Sequence, residues 1–144
     1  MRFHFWYTFL SFFLISLATL GYLWLDSNGR LAGFVPTGDF ILMALAIFRL
    51  IRFFTYDSIT AFVRRWFDGA DPDSLRGSLG TLINCPWCTG LWFSLLVAFF
   101  YFATPVAWYA ILVLALASVA SYLQLTANLI GWSAEVKKHE AQGK

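Results

Sequence analysis

Apolar residues run without a charge from Phe5 to Leu25, again from Cys85 to Ala103, and, after a break at Thr104-Pro105, from Val106 to Ile130. At about 1.5 Å of rise per residue, each run is long enough to cross a hydrocarbon layer of roughly 30 Å as a helix. The first follows Met1-Arg2 but is longer than the apolar stretch of a secretory leader, and no small-residue cleavage site follows it, so it reads as an uncleaved signal anchor. A fourth run, Phe40 to Phe54, is interrupted by Arg49 and Arg52. It spans if the helix begins near Val35-Pro36 and Arg52 reaches the surface along its own aliphatic stem.

The pattern predicts an all-α integral membrane helical bundle of four transmembrane helices plus a short amphipathic interfacial helix. The spans fall at about 5–25, 36–54, 85–103 and 106–130, with the last two joined as a tight helical hairpin. Residues 1–132 form a single membrane domain, and 133–144 a polar cytoplasmic tail. Composition agrees: 60% of the 144 residues are hydrophobic and 12% charged, which leaves no room for a second, soluble domain.

The net charge of +2 is small and its carriers are scattered, so no nucleic-acid partner is expected. With four spans, Arg2, Arg49, Arg52, Arg64, Arg65, Arg76, Lys137, Lys138 and Lys144 share one side and Arg30 stands alone on the other. With three spans, Arg2 and Arg30 exchange sides. Either way the positive-inside rule puts the central loop, the start of the Cys85 run and the C-terminus on the cytoplasmic face of a bacterial inner membrane.

In the central loop, Thr55 to Asn84, the residues Ile59, Phe62, Val63, Trp66 and Phe67 recur at helical spacing. They predict a helix over 58–67, N-capped by the carboxylate of Asp57 and stopped at Asp68-Gly69, with its rings toward lipid or toward the bundle and Arg64 and Arg65 toward headgroups. Asp68, Asp71 and Asp73 lack the spacing of a calcium loop and read as turn chemistry.

Cys85-Pro86-Trp87-Cys88 places two thiols at the start of a helix, with Pro86 in its first turn and Cys85 at the N-cap. The positive end of the helix favours a thiolate on Cys85. A thioredoxin-type exchange pair would look like this, yet no βαβ pattern surrounds it and the reducing side of the membrane disfavours a disulfide. Zinc would need two further ligands, and His4 and His139 lie near opposite termini; a site built from two copies of the chain has no independent support. The favoured reading is packing or a specific contact, with no metal and no cofactor.

Arg49 and Arg52, at i and i+3, point the same way, with Asp57 a plausible partner beyond them. Ser118, Ser121, Gln124 and Asn128 form one polar stripe on the last span, suited to joining helices or, less favoured, to lining a water-filled path.

The order Arg49-Leu50-Ile51-Arg52, Asp57-Ser58-Ile59-Thr60 with Arg64-Arg65, then Cys85-Pro86-Trp87-Cys88-x-Gly90-x-Trp92 resembles a family of small bacterial and phage membrane proteins catalogued as domain of unknown function thirteen-sixty. The resemblance covers roughly residues 40 to 125. It implies a multi-span inner-membrane protein with these patches juxtaposed at the cytoplasmic surface, in a cluster of Arg49, Arg52, Asp57, Cys85, Trp87, Cys88 and Gly90, and it implies no activity. The function expected is a non-enzymatic interaction or assembly protein, whose partners are the lipid bilayer and a second copy or another membrane protein. The alternatives are a membrane thiol-disulfide oxidoreductase using Cys85 and Cys88, and a phage holin-like lysis protein.

Overall fold

A computed structural model describes residues 3–31, 33–71 and 73–141. It is all helical, with no strand among those residues: α1 (Phe3–Ser27), α2 (Thr37–Thr55), a 3-10 turn (Ser58–Thr60), α3 (Ala61–Phe67), α4 (Leu75–Asn84), α5 (Pro86–Ala103) and α6 (Val106–Ala141). Three segments are long and apolar enough to cross a membrane, Phe5–Ser27, Pro86–Ala103 and Val106–Glu140. The chain is therefore built for membrane association.

Helix α2 is not among the three, because Asp39, Arg49 and Arg52 interrupt its 19 residues. Yet it is the centre of the bundle. Ala46 of α2 is fully buried, and with Val97 of α5 and Ile111 of α6 it forms the core, flanked by Leu42, Met43, Ile47 and Leu50 from α2 itself. Small side chains make the approach possible: Ala115 and Ser118 on α6 are equally buried. The expected tight hairpin of the last two helices is corrected accordingly. Helices α5 and α6, joined by the Thr104-Pro105 turn, each pack mainly on α2 and little on one another.

The polar groups of α2 find partners on its neighbours. Both carboxylate oxygens of Asp39 are held, one by the Tyr101 hydroxyl at 2.6 Å and the other by Trp108 Nε1 at 3.2 Å. Phe48 stacks on Tyr122 with ring centres 4.9 Å apart.

Helix α1 is peripheral, resting on α5 through Phe13 against Trp92 and Trp24 against Phe99. Its N-terminal end is tied to the turn before α4 by Trp6 Nε1, which donates to the Asp73 carbonyl at 2.9 Å.

Two boundaries differ from the sequence reading. Helix α6 does not stop near Ile130 but continues through the polar tail to Ala141, 36 residues in all, because nothing in Gly131-Trp132-Ser133-Ala134 breaks a helix already running. The central loop also contains α4. Ser74 caps it by accepting from the Gly77 N–H at 3.0 Å, the small residues Ser78 and Gly80 are buried, and Gly80 lies against Phe67 of α3. A Cβ at Gly80 would come within 2.9 Å of Phe67 Cβ, so the glycine sets how closely α3 and α4 approach.

Candidate functional site

At the end of α2 the chain turns sharply, and both the Tyr56 and Asp57 N–H groups donate to the Arg52 carbonyl. Asp57 is extended there, and its carboxylate does not cap the next helix as expected. It turns back instead to meet Arg49 Nη2 at 3.2 Å, with both side chains about a quarter exposed (24% and 28%). Arg49 Nη1 also donates to Ser121 Oγ at 3.2 Å, so one guanidinium joins α2, the turn after it and α6.

Arg64, expected to face headgroups, folds inward instead. Its Nη1 donates to the carbonyls of Phe54 and Asp57 at 2.9 and 3.0 Å and to Thr60 Oγ1 at 3.2 Å. The carbonyls at a helix end lack partners within the helix, and a half-buried cation supplies them here. The buried Thr60 hydroxyl does the same for the Phe53 and Asp57 carbonyls. Of the expected helix over 58–67, the first three residues form a 3-10 turn and only Ala61–Phe67 are α-helical. Ile59, Phe62 and Trp66 project outward.

Arg52 takes no part in the ion pair. Its guanidinium lies over the Phe48 and Tyr56 rings, 6.0 and 5.7 Å from their centres, within reach of a cation–π attraction. Its Nε is buried without a hydrogen-bond partner.

Cys85 is the single residue between α4 and α5, serving as C-cap of one and N-cap of the other. Its N–H donates to the Leu82 carbonyl, its carbonyl accepts from the Thr89 N–H, and its sulfur accepts from the Cys88 N–H at 3.4 Å, with Pro86 in the first turn. Both cysteines are free; Cys85 is half-buried and Cys88 exposed. The Cys88 thiol, hydrogen-bonded to Cys85, holds the Cys85 thiol below its ordinary range, and the Cys88 N–H adds to the effect.

Trp87, a member of the expected cluster, is 88% exposed. At Gly90 α2 packs closely on α5, since a Cβ there would lie 3.0 Å from Ile51 Cδ1. Thr89, which the sequence reading passed over, is buried and donates to the Leu82 carbonyl at 2.7 Å, fastening α4 to α5. A buried hydroxyl one turn into a helix carries no periodic signal, and only the need to satisfy the end of α4 would have pointed to it.

The arginine cluster and the cysteines share one end of the bundle, linked through the Ile51–Gly90 approach and the Thr55 hydroxyl on the Ile83 carbonyl at 3.4 Å. Among the described residues no hydrogen bond or ion pair joins Cys85, Trp87 or Cys88 to Arg49, Arg52 or Asp57. Cys85 instead borders an open groove of about 480 Å³ with Phe67, Asp68, Thr81 and Asn84. No group of three metal-ligating side chains occurs among the described residues. Asp71 accepts from the Asp73 N–H at 3.0 Å, which is turn chemistry.

The polar stripe of α6 divides. Ser118 is fully buried and donates to the Leu45 carbonyl at 2.7 Å, and Ser121 serves Arg49, so both act within the chain. Gln124 and Asn128 are exposed and bond each other, Nε2 to Oδ1, at 3.0 Å.

Residues 69–127 match the family described as "Protein of unknown function (DUF1360)". The chain is 32% identical over 97 residues to UPF0713 protein YngL of Bacillus subtilis (strain 168), covering 59% of this chain and 75% of that relative. The chain belongs to the DUF1360 family. A second relative, Sporulation protein YjcA of the same organism, is 31% identical over 101 residues, covering 58% of this chain and 86% of its own length. No solved structure matches.

The DUF1360 segment runs from the turn after α3 through α4, the cysteine junction and α5 into α6. Arg49, Arg52 and Asp57, and with them two of the three patches that carried the resemblance, lie outside it. What it does hold is the Cys85 junction, Thr89, Gly90 and the stripe residues Ser118, Ser121 and Gln124, with Asn128 one residue beyond its end.

Proposed function

We propose that this chain is a four-span protein of the bacterial inner membrane that works by assembling with a second copy of itself, and that it does so through the exposed face of α6 rather than by catalysis. Helix α2 is the fourth span. Its 19 residues reach about 28 Å, and two of its three charges meet polar partners, Asp39 on α5 and α6 and Arg49 on Asp57 and α6, while Arg52 lies over the Phe48 and Tyr56 rings near the helix end, which lowers the cost of placing them in a bilayer. The basic residues near the cysteine end support a cytoplasmic location for that end. Both named relatives come from a bacterium, which supports a bacterial membrane.

The observation that carries the assembly reading is the exposed Gln124–Asn128 pair. Two amides on an outward face of a membrane-length helix keep hydrogen-bonding capacity that lipid cannot satisfy, and a second helix can. Leu125, Leu129, Trp132 and Val136 adjoin them at i, i+4, i+7 and i+11, the spacing of a helix-pairing seam, and all four are exposed. The thiol-exchange reading is weaker on geometry. The attacking thiol of such a pair is the first one and needs access, whereas here the first, Cys85, is the more buried.

The test is the mass of the purified full chain in mild detergent, alone and with Gln124→Leu and Asn128→Leu combined. The wild type is expected as a dimer, and the double variant is expected to dissociate about tenfold more readily. A monomeric wild type, or a variant that associates equally well, overturns the reading.

A further inference from the structure

Helices α1 and α5 touch through rings at two levels, Phe13 with Trp92 at 6.1 Å and Trp24 with Phe99 at 5.8 Å, and between these contacts they part. The opening is a groove of about 880 Å³ walled by Leu20, Gly21 and Trp24 on one side and Trp92, Leu96 and Phe99 on the other. Its size falls in the range of roughly 300–1,000 Å³ typical of ligand sites, and its walls are almost wholly apolar. Gly21 forms the floor, where a Cβ would stand 3.2 Å from the Phe99 ring.

Both walls end at the same level. Helix α1 stops at Ser27, which still borders the groove, and α5 stops at Ala103, one turn beyond Phe99 on the same face. Arg30 lies across that end, donating from Nη1 to the Ala103 carbonyl. Its guanidinium is exposed, is in no ion pair among the described residues, and has donors to spare after that one bond. Beside it is a second cleft, of about 480 Å³, edged by Trp108 and Tyr109, the rings that favour the boundary between hydrocarbon and water. Asp39, the acid of α2, has both oxygens engaged by Tyr101 and Trp108, and Asp26, exposed at the end of α1, makes no ion pair with Arg30.

We propose that this groove is a binding site for one anionic diacyl phospholipid of the leaflet opposite the cysteines, with its acyl chains along the α1/α5 walls and its phosphate on Arg30. Charge complementarity selects the occupant: an apolar slot that ends in an unpaired, fork-shaped cation fits a molecule that is hydrocarbon for most of its length and phosphate at one end. The inference rests on α1 and α5 spanning the bilayer, and it does not depend on assembly through α6.

The test uses the full chain, extracted from membranes, stripped of lipid in detergent and titrated under native mass spectrometry with three probes: phosphatidylglycerol, the matching diacylglycerol, and glycerol phosphate. The expected result is one phosphatidylglycerol per chain, bound about tenfold or more tighter than diacylglycerol, with no retention of glycerol phosphate. Arg30→Gln should erase the preference for phosphatidylglycerol while leaving diacylglycerol binding unchanged. Leu96→Trp, which fills the groove, should weaken both lipids alike, and unchanged helicity by circular dichroism would confirm that each variant is folded. Equal phosphatidylglycerol binding by wild type and Arg30→Gln would overturn the proposal, as would a lipid-free dimer whose association Leu96→Trp abolishes. A chain recovered without detergent would refute the membrane reading itself, while lipid binding retained by the Gln124→Leu, Asn128→Leu variant would separate this site from the assembly face.

Discussion

Replacing Arg49 by Gln, Asp57 by Asn, and both together measures the bond at the centre of the arginine cluster. At 3.2 Å, and with an effective dielectric of about 20, the attraction between the two charges is of order 5 kcal/mol before desolvation. Both side chains are about a quarter exposed, so the pair lies between a surface bridge, worth about 0.2–1 kcal/mol, and a buried one, whose rupture costs about 3–5 kcal/mol. A coupling energy of about 1–2 kcal/mol follows. The single variants should differ. Arg49→Gln keeps a donor for Ser121, while Asp57→Asn leaves a guanidinium with one neutral partner in a half-buried site, so the Asp57 change should cost more. The assay is denaturant unfolding of the purified chain in micelles, followed by circular dichroism and analysed as a double-mutant cycle. The same cycle on Arg52 and Asp57 is the control and should give less than about 0.5 kcal/mol, because Arg52 stacks on Phe48 and Tyr56 instead. Coupling below that level at Arg49–Asp57, or equal coupling in the two cycles, would refute the geometry.

Gly80→Ala should destabilise the chain by about 1–3 kcal/mol in the same assay, since Phe67 Cβ must move, whereas Gly131→Ala, with open space around it in α6, should be neutral or stabilising by up to about 1 kcal/mol. Equal effects at the two glycines would contradict the α3–α4 packing. Cys85, with its thiol held below the ordinary range, should be alkylated at lower pH than an unperturbed cysteine, its thiolate growing as pH rises through that lowered value. Cys88→Ala removes the largest cause, so the alkylation midpoint of Cys85, followed by mass spectrometry, should move upward; a midpoint that stays put or falls would contradict the assignment.

Much of the fold was legible because long uncharged runs have few other uses: Phe5–Leu25, Cys85–Ala103 and the start of α6 emerge as helices within a few residues of where the pattern put them. The N-cap geometry of Cys85 and Pro86 was equally plain, because proline's missing N–H fixes its place in the first turn. What stayed hidden depends on tertiary partners. Nothing local reveals that Asp57 prefers Arg49 across the turn to the N–H groups ahead of it, or that Arg64 bends inward to the carbonyls of Phe54 and Asp57. Helix α4 was missed because Gly77 and Gly80 look like loop residues in a polar stretch, although Gly80 is small for the sake of close packing. The stripe on α6 was visible as a period, but which half serves the chain and which half faces outward was decided by where α2 ends.

The uninterrupted run of α6 has a mechanical consequence. Its 36 residues measure about 54 Å, some 24 Å more than a hydrocarbon core of roughly 30 Å. The stretch beyond the bundle is too short and too solvent-washed to hold its shape as a free peptide, because starting a helix is costly. On the proposed four-span topology the lipid-embedded turns supply that nucleus, so the bilayer itself would rigidify the projecting rod and keep Lys137 and Lys138 at a fixed height above the headgroups.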